Sequence, residues 1–515
     1  MAKALTSEKS RVCAVVAART ARDAWHQLRR AVRDTGTVEL RLDWLASAAE
    51  AHRLLALLKK SGIPRRVTLI ATCRHRQAGG LFSAALAAQL SLLHSAIDAG
   101  CAWVDLEIET VGAIPPFTLD LFTSRAQRIL SFHDFRGIPS PRGLTQVARR
   151  MNQLREASGF DVLKLAVQCD SLAQSLRLLA LSRQYPNVVS IPMGDVATPV
   201  RILAPRLGSG FSYAPVDQAT APGQIPLAEL RELYRGGDVT RRTRVYGVIG
   251  DPIAHSLSPV LHNAAFRARK IDAVYLPFRV IDLVDFLRAI EPLKIAGFSI
   301  TLPHKERILH HLDDCDPLAA AIGAVNTVVV RGAGTLFGYN TDYVGVLRAI
   351  ERRMPIAGSR VLILGAGGAA RAVAFALAKG GASVSICARR AERARKLARE
   401  VDGDAMPRAA LRHEFFDAIV NATPLGMHPN THQSPLNARE LNCRIVFDAV
   451  YRPRHTKLLQ LAASKGIETI SGVEMFLAQG IAQWEIWTGT RAPEAIMRRA
   501  VLQRLEAEER ERKQP

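Results

Sequence analysis

The chain from Val12 to Ile202 alternates short apolar runs with longer helix-like stretches, such as Ala48–Lys60, Phe82–Ala99 and Ser171–Gln184. Short apolar runs bounded by turn residues are typical of buried strands in a parallel sheet. The runs are Val12–Ala17, Val38–Leu42, Val67–Thr72, Trp103–Ile108, Ile129–Phe132, Val162–Val167 and Val188–Pro192, with an eighth expected near Gly210–Tyr213. Eight strand–helix units in succession predict a closed parallel (β/α)8 barrel, an α/β fold with its site at the carboxyl ends of the strands.

A second α/β region follows a break in this pattern. The segment Ala221–Pro226 precedes a short helix, Leu227–Tyr234, and a linker over residues 236–242. A new strand begins at Arg244, and a βα pattern continues to about Val346. The chain should therefore change domain near residue 240.

We predict three domains from these breaks. They are residues 1–240, the barrel with its linker; 241–346, a lobe completed by C-terminal helices over about 471–506; and 347–470, a Rossmann-type nucleotide-binding lobe. Residues from Glu508 onward are strongly charged, and we expect a frayed polar tail there.

The net charge of +22 is one signature of nucleic-acid-binding proteins. The basic residues, however, are spread through predicted helices, and no DNA- or RNA-binding motif is present. Nucleic-acid binding thus stays an alternative, and we expect small anionic substrates, which a positive field attracts. The sequence indicates no particular oligomeric state.

The seven cysteines are scattered and form no CxxC pair. This pattern predicts reduced, buried thiols and neither a disulfide framework nor a metal site. The first ten residues lack an apolar leader core, and no long uncharged apolar run follows. We therefore expect a cytoplasmic protein with no membrane partner.

Charged residues lie where the predicted barrel strands should face the interior. Glu39, Arg41 and Asp43 alternate with apolar residues, so they point to one face. Lys164 lies inside an apolar run, where a lysine is costly unless it is paired or neutral. A neutral lysine near a histidine, such as His133, is what imine-forming enzymes need.

Six motifs occur here in the order found in type I 3-dehydroquinate dehydratases, and residues 11–230 resemble that family. They are Glu39-Leu-Arg41, Thr72-Cys-Arg74, Ser131-Phe-His133-Asp134, Leu163-Lys164-Leu-Ala-Val, Met193-Gly194 and Ala221-Pro-Gly-Gln224. The resemblance implies that Lys164 forms a Schiff base with the C3 ketone of 3-dehydroquinate. His133 would remove the C2 proton and then release the C1 hydroxyl as water.

The resemblance also implies a set of substrate-binding residues: Glu39, Arg41, Arg74, Arg201, Thr220 and Gln224. Arginines flanking Lys164 should push it toward its neutral, nucleophilic form. One departure is Ala78, where the family often carries glutamate before the Gly-Gly pair. That difference puts the rate of dehydration in question.

The second half contains a glycine-rich turn between a strand and a helix. Its residues are Gly365, Ala366, Gly367, Gly368 and Ala369. A turn in this position can hold a pyrophosphate at the helix N-terminus. The next strand ends in Ala388-Arg389-Arg390, and arginine there suits the 2′-phosphate of NADP(H) rather than a free ribose hydroxyl. An alternative is that both arginines are merely exposed charges at a helix start.

Further motifs make residues 244–506 resemble shikimate dehydrogenases. They are His255-Ser256-Leu-Ser258-Pro, Ser299-Ile-Thr301-Leu-Pro-His-Lys305, Ala324-Val-Asn326-Thr, Asn340-Thr-Asp342, Asn421-Ala-Thr423-Pro-Leu-Gly, Asp448-Ala-Val-Tyr451 and Gln479. The resemblance implies Lys305 and Asp342 as the catalytic pair and Asn421 and Thr423 along the cofactor. It implies that the substrate is bound by Ser256, Ser258, Thr301, Asn326, Asp342, Tyr451 and Gln479.

Plainer interpretations remain for several of these residues. Ser256 and Ser258 could serve as helix caps, since Ser-Pro is a good helix start. Asn326 could be a turn residue, and Ala388, where the family often has asparagine, could weaken binding of the adenosine ribose. We assign no role to His255, His262 or His304.

The two resemblances together predict a bifunctional shikimate-pathway enzyme, because the product of the first reaction is the substrate of the second. It would dehydrate 3-dehydroquinate and then reduce 3-dehydroshikimate with NADPH, without a metal. Two rivals are a second half that oxidises quinate or shikimate catabolically, and a chain in which one half is inactive.

Overall fold

The computed structural model describes residues 11–64, 66–114, 122, 125–137, 140–185 and 187–513. They fall into two compact units: residues 1–243 with 284–293, and residues 244–283 with 294–515. The first ten residues, on which the leader prediction rests, lie outside the described part of the chain. None of the helices in the described ranges is long and apolar enough to cross a membrane.

The first unit contains an eight-stranded sheet whose described pairs are all parallel. Its strands are β1 (Val12–Val16), β2 (Thr37–Arg41), β3 (Thr68–Thr72), β4 (Trp103–Glu107), β5 (Gln127–Asp134), β6 (Val162–Gln168), β7 (Val188–Met193) and β8 (Ser212–Pro215). The order runs from β7 down to β1 and ends with β8. This arrangement confirms the predicted barrel, with strand ends that differ from the predicted ones by a few residues.

Helices separate most of these strands, as the sequence predicted. They are α1 (Ala21–Asp34), α2 (Ala48–Ser61), α3 (Leu86–Asp98), α4 (Ile108–Ala113), α5 (Pro141–Ser158), α6 (Leu172–Gln184), α7 (Thr198–Leu207) and α8 (Leu227–Glu232). Side-chain caps start several of them: Thr20, Ser47, Ser140 and Ser171 each accept a hydrogen bond from the first helical turn.

The barrel closes at a seam between β7 and β8, the two ends of the strand order. One backbone hydrogen bond crosses near it, from Gly210 N to Val188 O at 3.4 Å. Ser209 supplies side-chain bonds instead: its hydroxyl accepts from Ser190 N at 3.1 Å and lies 3.3 Å from Ser190 O. A buried serine therefore substitutes for part of a strand ladder.

The predicted linker over residues 236–242 is attached to the barrel. Arg11 Nη1 donates to Val239 O at 3.5 Å, and Arg206 Nη1 donates to Thr243 O at 2.9 Å. Val239 is buried. The segment is therefore a packed part of the first unit rather than a loose connection.

The second unit begins with a mixed six-stranded sheet, in the order β10-β9-β11-β13-β14-β12. Its strands are β9 (Arg244–Gly250), β10 (Ala273–Arg279), β11 (Ile295–Ile300), β12 (Asp314–Cys315), β13 (Thr327–Val330) and β14 (Leu336–Tyr339). The expectation of an uninterrupted βα pattern was wrong here, because β13 pairs antiparallel with both β11 and β14. A short turn joins β13 to β14, which leaves no room for a crossover helix.

Four helices accompany this sheet along the chain: α9 (Ser258–Ala268), α10 (Leu283–Leu293), α11 (Pro317–Ile322) and α12 (Asp342–Glu351). Shorter 3-10 helices occur at Leu42–Trp44, Arg76–Ala78, Asp195–Ala197, Arg307–His311, Gly332–Gly334, Arg408–Ala410 and Ala438–Glu440.

A second six-stranded sheet is parallel throughout, in the order β17-β16-β15-β18-β19-β20. Its strands are β15 (Arg360–Leu364), β16 (Ser383–Cys387), β17 (Asp404–Ala405), β18 (Phe416–Asn421), β19 (Cys443–Asp448) and β20 (Glu468–Ser471), and its helices are α13 (Gly368–Lys379), α14 (Ala391–Glu400) and α15 (Lys457–Ser464). Numbered within this sheet, the order is 3-2-1-4-5-6, that of a Rossmann fold. Ligands of such sheets bind where the order reverses, here at the carboxyl ends of β15 and β18.

Two C-terminal helices, α16 (Gly472–Thr488) and α17 (Glu494–Lys513), contribute apolar residues to the same core cluster as the mixed sheet. The expectation of a frayed tail from Glu508 was wrong up to Lys513, since the helix continues to that residue. Glu508 is buried and pairs with Arg452 at 2.8 Å and Arg504 at 3.1 Å. These ion pairs hold a segment whose composition alone suggested disorder.

The seam yields a prediction about local stability. Replacing Ser209 with alanine removes buried hydrogen bonds, which should cost about 1–3 kcal/mol. Amide hydrogen exchange of β7 and β8, measured by mass spectrometry, should accelerate by roughly 5- to 150-fold. The control Ser91→Ala, on the exposed side of α3, should leave exchange unchanged; equal protection in both variants would contradict the role of Ser209.

Candidate active sites

One pocket in the barrel gathers all eight residues predicted for the first site. Its lining includes Glu39, Arg41, Arg74, His133, Lys164, Arg201, Thr220 and Gln224, together with Gly79, Phe135 and Tyr213. The pocket encloses about 460 Å³, counting the part open to solvent.

The strand register explains why these polar side chains meet inside a barrel. Along each strand, every second residue faces the interior, so Asp105 and Lys164 follow the apolar residues Trp103 and Val162 on their own strands. Ser131 on β5 pairs in register with Lys164 on β6, and Thr72 on β3 pairs with Asp105 on β4. A polar layer therefore lies above an apolar layer that includes Ile70, Trp103, Ile129, Val162 and Val189.

Lys164 is buried at 3% exposure and is held by two carboxylates. Its Nζ lies 2.8 Å from Glu39 Oε1 and 2.8 Å from Asp105 Oδ2, and 4.2 Å from the centre of the Tyr213 ring. The sequence predicted arginines beside this lysine, whereas its hydrogen-bond partners in the described structure are two acids.

Asp105, which the sequence analysis missed, is the centre of this polar layer. It accepts hydrogen bonds from Lys164, from Arg74 Nη2 at 3.0 Å and from Ser131 Oγ at 2.5 Å. Burial alone would raise the pKa of Asp105, but Lys164 and Arg74 lower it to about 2. The available signal was the alternation in Trp103-Val-Asp105-Leu-Glu107, which resembles that of Glu39-Leu-Arg41.

His133 has a cationic neighbour and, among the described residues, no carboxylate in hydrogen-bond contact. Arg74 Nη1 lies 2.8 Å from His133 Nδ1. Burial has the largest effect on His133 and holds its pKa well below its usual range. The positive charges of Arg74 and Lys164 lower this pKa further. Ala78, the predicted departure, is a buried residue of a 3-10 turn and provides no anion to oppose these effects.

Arg201 connects the barrel to the loop that carries Thr220 and Gln224. Its Nη1 donates to Pro222 O at 3.0 Å, whereas Nη2 is buried without a partner in the described structure. Gln224 Oε1 accepts from Thr220 N at 2.7 Å and from the Thr220 hydroxyl at 3.1 Å. Burial lowers the pKa of Arg201 to about 10, so an anion at Nη2 would satisfy an otherwise unpaired donor.

Arg41 forms a two-point ion pair with Asp43 through bonds of 2.9 and 2.8 Å. Asp43 Oδ2 also accepts from Leu81 N at 3.1 Å. Part of the inward charge predicted on β2 is therefore neutralised within the protein, and Glu39 is paired with Lys164 instead.

The second unit brings Lys305 and Asp342 into contact, as predicted. Lys305 Nζ donates to Asp342 Oδ2 at 2.5 Å. Asn326 Nδ2 donates to Asp342 Oδ1 at 2.8 Å, and its Oδ1 accepts from Thr341 N at 2.7 Å. Asn326 is thus a positioning partner of the carboxylate, which leaves the lysine as the exposed end of the network.

The remaining predicted substrate residues of this unit lie on neighbouring elements. Ser256 Oγ accepts from Ser258 N at 3.3 Å and also interacts with Tyr451, whereas the N-cap of α9 is Leu257 and makes no side-chain bond. Tyr451 stacks on Phe476 at 4.6 Å, and Gln479 Nε2 donates to Phe476 O at 3.0 Å. Thr301 follows β11 and is half-buried.

The glycine-rich turn joins β15 to α13 and has the features of an anion cradle. Gly365 has φ of +115°, and a Cβ there would lie 3.1 Å from Ala422 O. Gly367 caps α13 without a side-chain bond, and a Cβ on it would meet nothing within 4 Å. A Cβ on Gly368 would lie 3.6 Å from Lys305, so the turn and the lysine are neighbours.

The other predicted cofactor residues differ in how accessible they are. Arg389 and Arg390 are exposed just beyond β16, beside half-buried Ala388. Asn421 is fully buried; its amide donates to Asp448 Oδ1 at 2.9 Å, and its Oδ1 accepts from the Thr423 hydroxyl at 2.7 Å. Both polar ends of Asn421 are thus used within the sheet, whereas the half-buried Thr423 lies beside Gly365.

Family models match most of the chain. Residues 12–238 match type I 3-dehydroquinase, and residues 248–328 match the shikimate dehydrogenase substrate binding domain. Residues 348–431 match shikimate/quinate 5-dehydrogenase, and residues 472–502 match the shikimate 5′-dehydrogenase C-terminal domain.

Individual relatives agree with this division. A chloroplastic bifunctional 3-dehydroquinate dehydratase/shikimate dehydrogenase of Arabidopsis thaliana is 35% identical over 481 residues, 89% of this chain and 78% of that protein. An NADP(+) shikimate dehydrogenase of Methanosarcina acetivorans is 44% identical over 279 residues, 51% of this chain and 99% of that protein. A Thermus thermophilus shikimate 5-dehydrogenase solved with NADP(H) and shikimate has 37% identity and a TM-score of 0.47, over 51% of this chain and 99% of that one.

The cationic surroundings of His133 yield a prediction for its titration. In protein labelled with 15N-histidine, the His133 signals should remain those of a neutral ring across the range near pH 6.5 where exposed histidines titrate. In Arg74→Met, the pKa of His133 should rise, because one of the two nearest positive charges is gone while the burial remains. The His133→Gln variant assigns the signals; a His133 that titrates near pH 6.5 in the unaltered protein would contradict this account.

Proposed function

The chain belongs to the bifunctional 3-dehydroquinate dehydratase/shikimate dehydrogenase family, and on that premise we propose a two-step reaction. The barrel dehydrates 3-dehydroquinate to 3-dehydroshikimate, and the second unit reduces that product to shikimate with NADPH. The observation that carries the first step is the buried lysine at the centre of a pocket with unpaired cationic donors. The Lys305–Asp342 pair beside a glycine-rich turn carries the second.

In the first step, Lys164 Nζ attacks the C3 ketone and water leaves, which produces a protonated imine. The positive nitrogen withdraws electrons from the adjacent carbon, so the C2 proton becomes acidic. His133 is neutral at physiological pH because its pKa is depressed, and it is therefore ready to accept that proton. It then returns the proton to the departing C1 hydroxyl.

The pocket cations are suited to the carboxylate of the substrate. Arg201 has an unpaired, buried Nη2, and arginine binds carboxylates through parallel hydrogen bonds. The loop that carries Thr220 and Gln224 is held by the same arginine. We assign these residues, together with Glu39, Arg41 and Arg74, to substrate binding.

In the second step, Lys305 supplies a proton from Nζ to the C3 oxygen of 3-dehydroshikimate. Asp342 orients the lysine and stabilises its charge, and Asn326 fixes the carboxylate in turn. We assign the hydroxyls and carboxylate of this substrate to Ser256, Ser258, Thr301, Asn326, Asp342, Tyr451 and Gln479.

NADPH supplies the hydride when it is bound. The residues at the carboxyl end of β15, where the strand order reverses, fit this cofactor. Helix α13 begins without a side-chain cap, and Gly367 faces open space. We assign the pyrophosphate to residues 365–369 and the 2′-phosphate to Arg389 and Arg390, with Asn421 and Thr423 beside the cofactor. The domain limits 1–240, 241–346 with 471–506, and 347–470 belong to the same proposal.

Two lysine variants test whether the two activities belong to two separate sites. Lys164→Ala should lower dehydration of 3-dehydroquinate, followed by enone absorbance, by roughly a thousandfold or more, and leave reduction of 3-dehydroshikimate intact. Lys305→Ala should lower NADPH oxidation by about 10²- to 10⁴-fold and leave dehydration intact. Loss of both activities in either variant, with the protein folded, would contradict two separate sites.

Cofactor selectivity tests the arginine assignment. The double variant Arg389→Ser/Arg390→Ser should raise the KM for NADPH by about 10- to 100-fold, because charge-assisted hydrogen bonds to the 2′-phosphate are lost. The KM for NADH should change little. Arg393→Ser, another exposed arginine on α14, is the matched control and should leave both values unchanged. An unchanged KM for NADPH in the double variant would overturn the assignment.

A further inference from the structure

Asp105 is a carboxylate in direct contact with the lysine that reacts, and no role has been given to it so far. It is 1% exposed and bonds to Lys164, Arg74 and Ser131. Within the described structure, it therefore has two cationic donors at Oδ2 and one hydroxyl donor at Oδ1. Glu39, the other partner of Lys164, has one cationic donor and the Thr72 hydroxyl at 2.9 Å.

The difference between the two carboxylates matters because the lysine must lose a proton before it can attack. A carboxylate held by two cations and a hydroxyl is a poor proton acceptor, whereas one with a single cationic partner can accept more easily. In a balanced sequence, Glu39 takes a proton from the ammonium, and the free amine adds to the ketone. The same proton then leaves with the carbinolamine hydroxyl as water, which gives the protonated imine and restores the Glu39 anion.

The charge at Lys164 is therefore +1 before and after imine formation. An anion that remains ionised next to Nζ stabilises both forms and needs no rearrangement between them. Nζ is neutral only while the free amine adds to the ketone, and again when His133 removes the C2 proton and a neutral enamine forms. Arg74 contacts His133 through Nη1 and Asp105 through Nη2, so the carboxylate also holds the arginine that borders the base.

We propose that Asp105 is a catalytic residue of the dehydratase: it is the permanent counter-ion of Lys164 from the resting ammonium through the protonated imine, while Glu39 exchanges the proton. This inference rests on the dehydratase activity proposed above. It assigns different roles to two carboxylates that lie at the same distance from the same nitrogen.

The test is trapping of the imine in the full-length chain. Protein is incubated with saturating 3-dehydroquinate and reduced with borohydride, and the adduct on Lys164 is counted by mass spectrometry. Asp105→Asn should reduce the adduct at least tenfold and kcat for dehydration at least a hundredfold. Shikimate dehydrogenase activity of the same preparation measures the amount of intact chain. A thermal melting curve shows whether the barrel is folded.

Asp43→Asn is the matched control, because it also converts to an amide a buried carboxylate that pairs with a residue of this pocket, Arg41. Its partners in the described structure are Arg41 and the Leu81 amide, not Lys164. This variant should raise the KM and leave the adduct yield at saturation within twofold of the unaltered protein. Asp105→Glu keeps the charge and should restore at least half of the adduct.

The outcomes separate this inference from the proposed function. If the unaltered protein forms no adduct and no enone, the dehydratase assignment itself fails. If it does form them, an undiminished adduct in Asp105→Asn overturns the counter-ion role, even when turnover is slow. If Asp105→Asn does not fold, loss of the adduct in Asp105→Glu with an unchanged melting curve overturns it instead.

Discussion

The pairing of one buried ammonium with two carboxylates is the interaction on which the polar interior of the barrel depends. A charge as buried as that of Lys164 costs several kcal/mol unless it is compensated. Glu39 and Asp105 provide that compensation, and Asp105 in turn needs Arg74 and Ser131. Each of these side chains comes from or directly follows a different strand. The charges are therefore balanced only when the strands pair in the correct register.

The lysine of the second unit, Lys305, has different surroundings. Lys305 keeps 16% of its side chain exposed, and one carboxylate is enough to hold it. The rest of that network is built from neutral groups, with Asn326 and Thr341 behind Asp342. A partly exposed lysine can exchange protons with solvent between turnovers, whereas a lysine buried in a barrel has to exchange them with its neighbours.

Local patterns were enough to predict the α/β class, the eight barrel strands, and the glycine-rich turn before α13. Alternation along β2 also predicted that Glu39 and Arg41 face one side, and both line the first pocket. Local patterns did not identify Asp105, since its importance comes from Lys164, fifty-nine positions away. Nor did they predict the helix beyond Glu508, which depends on contacts with Arg452.

Two of the mismatches share a physical origin. Each arose where a charged group was judged by its neighbours in sequence, while its partners come from distant segments. Lys164 was expected among arginines and lies between acids. The segment after Glu508 was expected to be solvated and is anchored. Apolar patterns are local and repeat along the chain, whereas ion pairs are sparse and non-local.

Both sites are carried by one polypeptide, whose two compact units are each built around their own sheets. The two sites are therefore always present in equal numbers, whatever the level of synthesis of the protein. At steady state, the concentration of the shared intermediate then depends on the kinetic constants of the two sites and not on separate control of two genes. A substitution that slows only the second site would raise the intermediate, and a change in expression would alter both sites together without restoring their ratio.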